Sequence, residues 1–112
     1  MRCIIEAKIP VEKGNTAIME DKMIGITKDI IETLKPEAAY FYAKDGQRTM
    51  MMVADIEEAD KIPKTIEPFW IDLNCDVQTY PAMSFEDLQN AKPDFENLIK
   101  KSKNRKLASN YR

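Results

Sequence analysis

Histidine is absent from this chain. Its absence removes the one side chain whose ordinary pKa lies near neutrality, and with it imidazole acid–base catalysis. Cysteine occurs only as Cys3 and Cys75, too far apart in sequence to form a zinc-ligand pair. Three glycines leave no G-x-x-x-x-G-K, G-x-G-x-x-G or G-x-S-x-G motif, so neither a phosphate loop nor a nucleophile elbow is supported. No apolar run approaches the ~20 residues of a membrane span, and the start MRCIIEAKIP lacks the apolar region of a signal peptide. The expectations are a cytoplasmic protein, no membrane partner, no metal and no cofactor. The two cysteines then read as small buried hydrophobes in a reducing compartment.

What is present is an ordinary soluble composition, 44% hydrophobic and 32% charged over 112 residues, enough for a single core. The net charge of −2 hides an asymmetry. Residues 1–99 carry 11 Lys/Arg against all 19 Asp/Glu, a net of −8, whereas the tail from Lys100 to Arg112 carries six basic residues and no acid. The acidic body argues against a nucleic-acid face. The tail KKSKNRKLASNYR has a single aromatic, Tyr111, and reads as a solvated extension rather than a nucleic-acid binder.

The most informative stretch is EAAYFYAKDGQRTMMMVAD, residues 37–55. Asp45-Gly46 is a strong hairpin signal. With these as turn residues, Lys44 pairs with Gln47, Tyr42 with Thr49, Tyr40 with Met51 and Ala38 with Val53. Ala43, Phe41 and Ala39 meet Arg48, Met50 and Met52 on the other side. Both faces are largely apolar, so the hairpin needs cover twice. Helices supply one cover, and a second copy of the chain is the economical source of the other.

Around it, residues 2–9 alternate as a strand, and Pro10 with Gly14-Asn15 marks a loop. Thr16 to Leu34 has helical spacing, with Met19, Met23, Ile26, Ile30 and Leu34 on one stripe. Ile62, Ile66, Phe69, Trp70 and Leu73 form a second stripe behind Pro63, and Pro68 predicts a kink or a broken helix. Residues 75–80 read as a fourth strand. Ser84 caps a short helix to about Ala91. The order is β-α-β-β-α-β, which predicts an α+β, ferredoxin-like antiparallel sheet with helices on one face and the first strand between the third and fourth. The expected division is a domain over 1–92 and a basic, mobile C-terminal extension over 93–112.

The stretch EAAYFYAKDGQRTMMMVADIEEADKIPKTIEPFW, with MRCIIEAKIP and GNTAIMEDKMIGITKDIIETLKPEAAYF before it, resembles small bacterial proteins of the dimeric α/β-barrel superfamily. The resemblance spans roughly residues 1–90. It implies a homodimer whose two sheets face each other, and no specific activity, because this superfamily hosts many. It carries over no catalytic residue, since a chain without histidine lacks the usual ligand of the superfamily's haem-binding branches.

Candidate site residues follow from the sheet face left open by the helices. Glu6 points there, where partial burial would raise its pKa and make it a general base; the alternative is a structural ion pair with Arg2, Lys8 or Arg48. Tyr40, Tyr42, Met51, Tyr80 and Arg48 are the candidate ligand-binding residues, with dimer-interface packing as the simpler role for the tyrosines. Trp70 is expected in the core between helix and sheet, and Met50-Met51-Met52 reads as adaptable packing. Two functions remain: a cofactorless oxygenase or isomerase acting on a small apolar or aromatic compound, and a non-catalytic dimeric module for binding or assembly.

Overall fold

The computed structural model describes residues 1–110, with side chains through residue 107. The fold is α+β, a four-stranded antiparallel sheet with five α-helices among the described residues. The strands are β1 (Arg2–Ile9), β2 (Ala38–Lys44), β3 (Gln47–Asp55) and β4 (Asp76–Pro81). The helices are α1 (Val11–Met19), α2 (Met23–Leu34), α3 (Ile62–Leu73), α4 (Phe85–Asn90) and α5 (Lys92–Asn110). The sheet order is β2-β3-β1-β4, which puts β1 in the place expected for it, between β3 and β4.

The hairpin forms in the expected register. Lys44 pairs with Gln47, Tyr42 with Thr49 and Tyr40 with Met51. Asp45 (φ 53°) and Gly46 (φ 74°) both take left-handed backbone, the demand of the tight turn whose twist matches that of the strands it joins. Strand alternation then sorts the sheet. Cys3, Ile5, Ala7 and Ile9 are buried on the helix-covered face, opposite Ala54, Met52, Met50 and Arg48. Ile4, Glu6 and Lys8 take the other face, opposite Val53, Met51 and Thr49. Ile30 from α2 and Ile66, Phe69 and Leu73 from α3 complete the core.

Four expectations about the helices need correction. The stretch read as a loop at Gly14-Asn15 is helical, because α1 starts directly after Pro10. The single helix expected from Thr16 to Leu34 is two, divided at Asp21. Asp21 takes φ 56°, its N–H donates to the Ile18 carbonyl at 3.0 Å, and the Lys22 N–H donates to Ala17 at 2.8 Å. This is a Schellman-type stop with aspartate where glycine is usual. Met19, assigned to the buried stripe, is consequently exposed. α3 runs unbroken through Pro68, since Ile66, Phe69 and Leu73 anchor it to the core on both sides of the missing N–H. Trp70 is the fourth: it is 47% exposed, while Thr65, Ile66, Phe69 and Leu73 form the buried stripe.

The chain divides into two compact units, Met1–Ala82 and the remainder from Met83. The first unit holds the sheet, α1–α3 and the whole core cluster. The second holds α4 and α5. Ser84 caps α4 as expected, with a reciprocal pair in which the Asp87 N–H donates to Ser84 Oγ at 3.1 Å and the Ser84 N–H donates to Asp87 Oδ2 at 2.9 Å. Residues 92–110, given no regular structure from sequence, form the long helix α5. Tyr111 and Arg112, counted in the basic tail, lie outside the described residues.

Candidate functional site

Two places on the first unit collect the residues of interest, one on each face of the sheet. The open face carries Glu6 from β1, Tyr40 and Tyr42 from β2, Met51 from β3 and Tyr80 from β4. Period-2 alternation brings these five together from four strands. Tyr40 is 61% exposed and Tyr80 49%, and with Ile4, Met51 and Val53 they form an apolar half of this face.

Glu6 heads the polar half. Tyr42 donates its hydroxyl to Glu6 Oε2 at 2.8 Å, and Lys44 Nζ donates to Oε1 at 2.9 Å and Oε2 at 3.2 Å. Both donors reach across from β2 over β3, where Thr49 lies buried in the row between Lys8 and Tyr42. Lys8 pairs instead with Asp45 at 3.3 Å, and Arg2 pairs with Glu37. Glu6 is therefore in an ion pair, and its partner is Lys44 rather than Arg2, Lys8 or Arg48. The bonds from Lys44 and then Tyr42 outweigh desolvation and hold the Glu6 carboxyl below its ordinary pKa. That reverses the direction expected for a general base. Lys44 is raised by the same bond, and Tyr42 is raised by desolvation and by its bond to Glu6.

Arg48 does not join this group. Its place opposite Ile9 in the ladder sends it to the helix-covered face. There Nη2 donates to Asn15 Oδ1 of α1 at 3.1 Å. Arg48 lines a groove of about 800 Å³ between α2 and the outer hairpin. The walls are Ile9, Met23, Ile24, Ile31, Phe41 and Met50, with Lys28 and Glu32 from α2 also lining it. The volume lies within the ordinary range for small-molecule sites. Thr27, also in the lining, is satisfied by donating to the Met23 carbonyl at 2.8 Å.

The sequence reading gathers Tyr40, Tyr42, Met51, Tyr80 and Arg48 on the open face; of these, Arg48 and Tyr42 are in the lining of this groove. It assigns helices as the cover of that side of the hairpin and describes no groove there. The signal was available in Phe41, Ala43 and Arg48, a face too long for one short helix to cover. The division of the helical stretch at Asp21, which sets where α2 begins, was not.

The cysteines are free, buried and apart, Cys3 beside Pro81 and Cys75 next to the opposite end of β4. Burial pushes the Cys75 thiol up to about 12, far from thiolate chemistry at neutral pH. No helix among the described residues is long and apolar enough to cross a membrane.

No family model matches the chain, and neither does any curated protein. Among solved structures it is similar to the de novo designed protein Ferredog-Diesel, at 12% identity and a TM-score of 0.45, over 72% of this chain and 85% of that one. A likeness at that level carries no weight for function.

Proposed function

We propose that the chain is a ferredoxin-like, dimeric α/β-barrel-type protein of the cytoplasm that binds a small apolar or aromatic molecule in the groove between α2 and the β2–β3 hairpin. The observation that carries this reading is the groove itself, about 800 Å³ with predominantly apolar walls, opening beside a hairpin whose Phe41 stays 56% exposed. Binding without catalysis is favoured over an oxygenase or isomerase role because the best acid–base candidate, Glu6, is held ionised by Lys44 and Tyr42 on the opposite face. Dimerisation through the open face fits the apolar half formed by Ile4, Tyr40, Met51, Val53 and Tyr80, an arrangement usual for interfaces. The free, buried cysteines suit a reducing compartment.

The test is a thermal-shift screen with aromatic acids, quinones and lactones, repeated on Ala43→Trp, which places an indole in the groove from an exposed strand position. A ligand at a hundred times its Kd stabilises the folded state by about 2.7 kcal/mol. The reading requires a ligand whose shift disappears in Ala43→Trp. A shift that survives the substitution places the ligand elsewhere and overturns it.

A further inference from the structure

We infer that the groove selects a small carboxylic acid with an apolar body, and that Arg48 is the residue that holds the carboxylate. The inference rests on the groove reading above and names its ligand class.

Arg48 stands exposed near the start of β3 on the helix-covered side of the sheet, paired in the ladder with Ile9 and Ala43, where it meets the apolar lining of the groove. Its seat is built by the first turn and a half of α1. Gly14 is buried, and a Cβ there would stand 2.6 Å from Arg48 Nη1 and 3.3 Å from Cδ, so a larger residue would push the end of the Arg48 side chain aside. The next residue, Asn15, takes one N–H of Nη2 at 3.1 Å. An arginine has five N–H donors, and a neutral amide oxygen uses one of them. Among the described residues no carboxylate lies within ion-pair distance of Arg48. Glu32, the acid in the groove lining, is 3.9 Å from Lys28 one turn away.

The guanidinium is thus tethered by Asn15 at an exposed position in the groove lining, with donors left over for an anion. Its planar fork matches a carboxylate in two parallel bonds. With Lys28 and Glu32 of the lining paired to each other, Arg48 leaves one net positive charge, which suits a single negative charge better than a phosphate dianion. Phe41, Met50 and Ile24 offer the ligand's body a ring edge and flexible hydrocarbon.

The experiment is calorimetric titration of the full chain with 2-naphthoate and with its neutral counterpart 2-naphthamide, in low salt. The expected result is naphthoate binding at least tenfold tighter than naphthamide. Arg48→Met should bring the two within twofold of each other while naphthamide affinity is kept. Gly14→Ala, which displaces the guanidinium and leaves its charge, should also shrink the ratio. Equal affinities in the native protein, or an unchanged ratio in Arg48→Met, overturn the assignment of Arg48 and leave the groove reading standing. If neither compound binds at millimolar concentration, both fall.

Discussion

At the scale of single residues, Glu6 shows how neighbours decide chemistry. The same carboxylate would be a base if it were desolvated alone and becomes a fixed anion once Lys44 and Tyr42 reach it. Because its folded pKa lies below its ordinary value, the folded state binds fewer protons there than the unfolded chain. Its contribution to stability is complete above the ordinary carboxylate range and is lost as pH falls below it. Glu6→Gln should therefore flatten the acid limb of a stability–pH profile and leave the neutral region lowered by a small amount. An acid limb of unchanged steepness would show that Glu6 is solvated. The pairing was half legible in sequence. Alternation put Glu6 on the open face, but its partner, Lys44, lies two strands away, and side-chain reach across a strand has no sequence signature.

At the scale of elements, the hairpin and α3 make opposite points. Asp45-Gly46 is a local instruction, since two adjacent residues must take left-handed backbone and glycine does so without a Cβ penalty. Gly46→Val should cost about 1–2 kcal/mol, read from the denaturation midpoint, because a left-handed β-branched residue is strained. In α3, spacing admitted both Phe69 and Trp70 to the buried stripe, and only Phe69 is enclosed, at 0% exposure. Phe69→Ala should cost roughly 3–5 kcal/mol through the cavity it leaves. Trp70→Ala should cost only about 1 kcal/mol, about half the value of a fully buried aromatic. Comparable losses for the two would show that Trp70 is covered by a partner.

For the whole molecule, the unanswered demand is the open face of the sheet. Tyr40 and Tyr80 are exposed there beside half-buried Ile4, Met51 and Val53, the apolar surface that the proposed dimer would cover. Under the proposed dimer, Tyr40→Asp buries an unpaired charge at the interface. Sedimentation should show the native chain as a dimer at micromolar concentration and Tyr40→Asp shifted toward monomer. An unchanged association constant would remove this face from the interface. The unit from Met83 onward is a separate matter: Phe85, Leu88, Phe95, Leu98 and Ile99 leave substantial apolar surface on α4 and α5, beside the basic charge of the tail.

The strands, their register and the face of each strand residue were readable because period-2 alternation and a two-residue turn are local rules, satisfied within a few residues of chain. The stop at Asp21 was not, because aspartate adopts left-handed backbone only where capping hydrogen bonds and packing on both sides reward it. The groove follows from that same event, since the start and direction of α2 set how much of Phe41 and Met50 it covers. Arg48 required both kinds of information. Alternation assigned its face, while its seat exists because α1 begins early enough to bring Gly14 and Asn15 against β3, a contact between residues more than thirty positions apart.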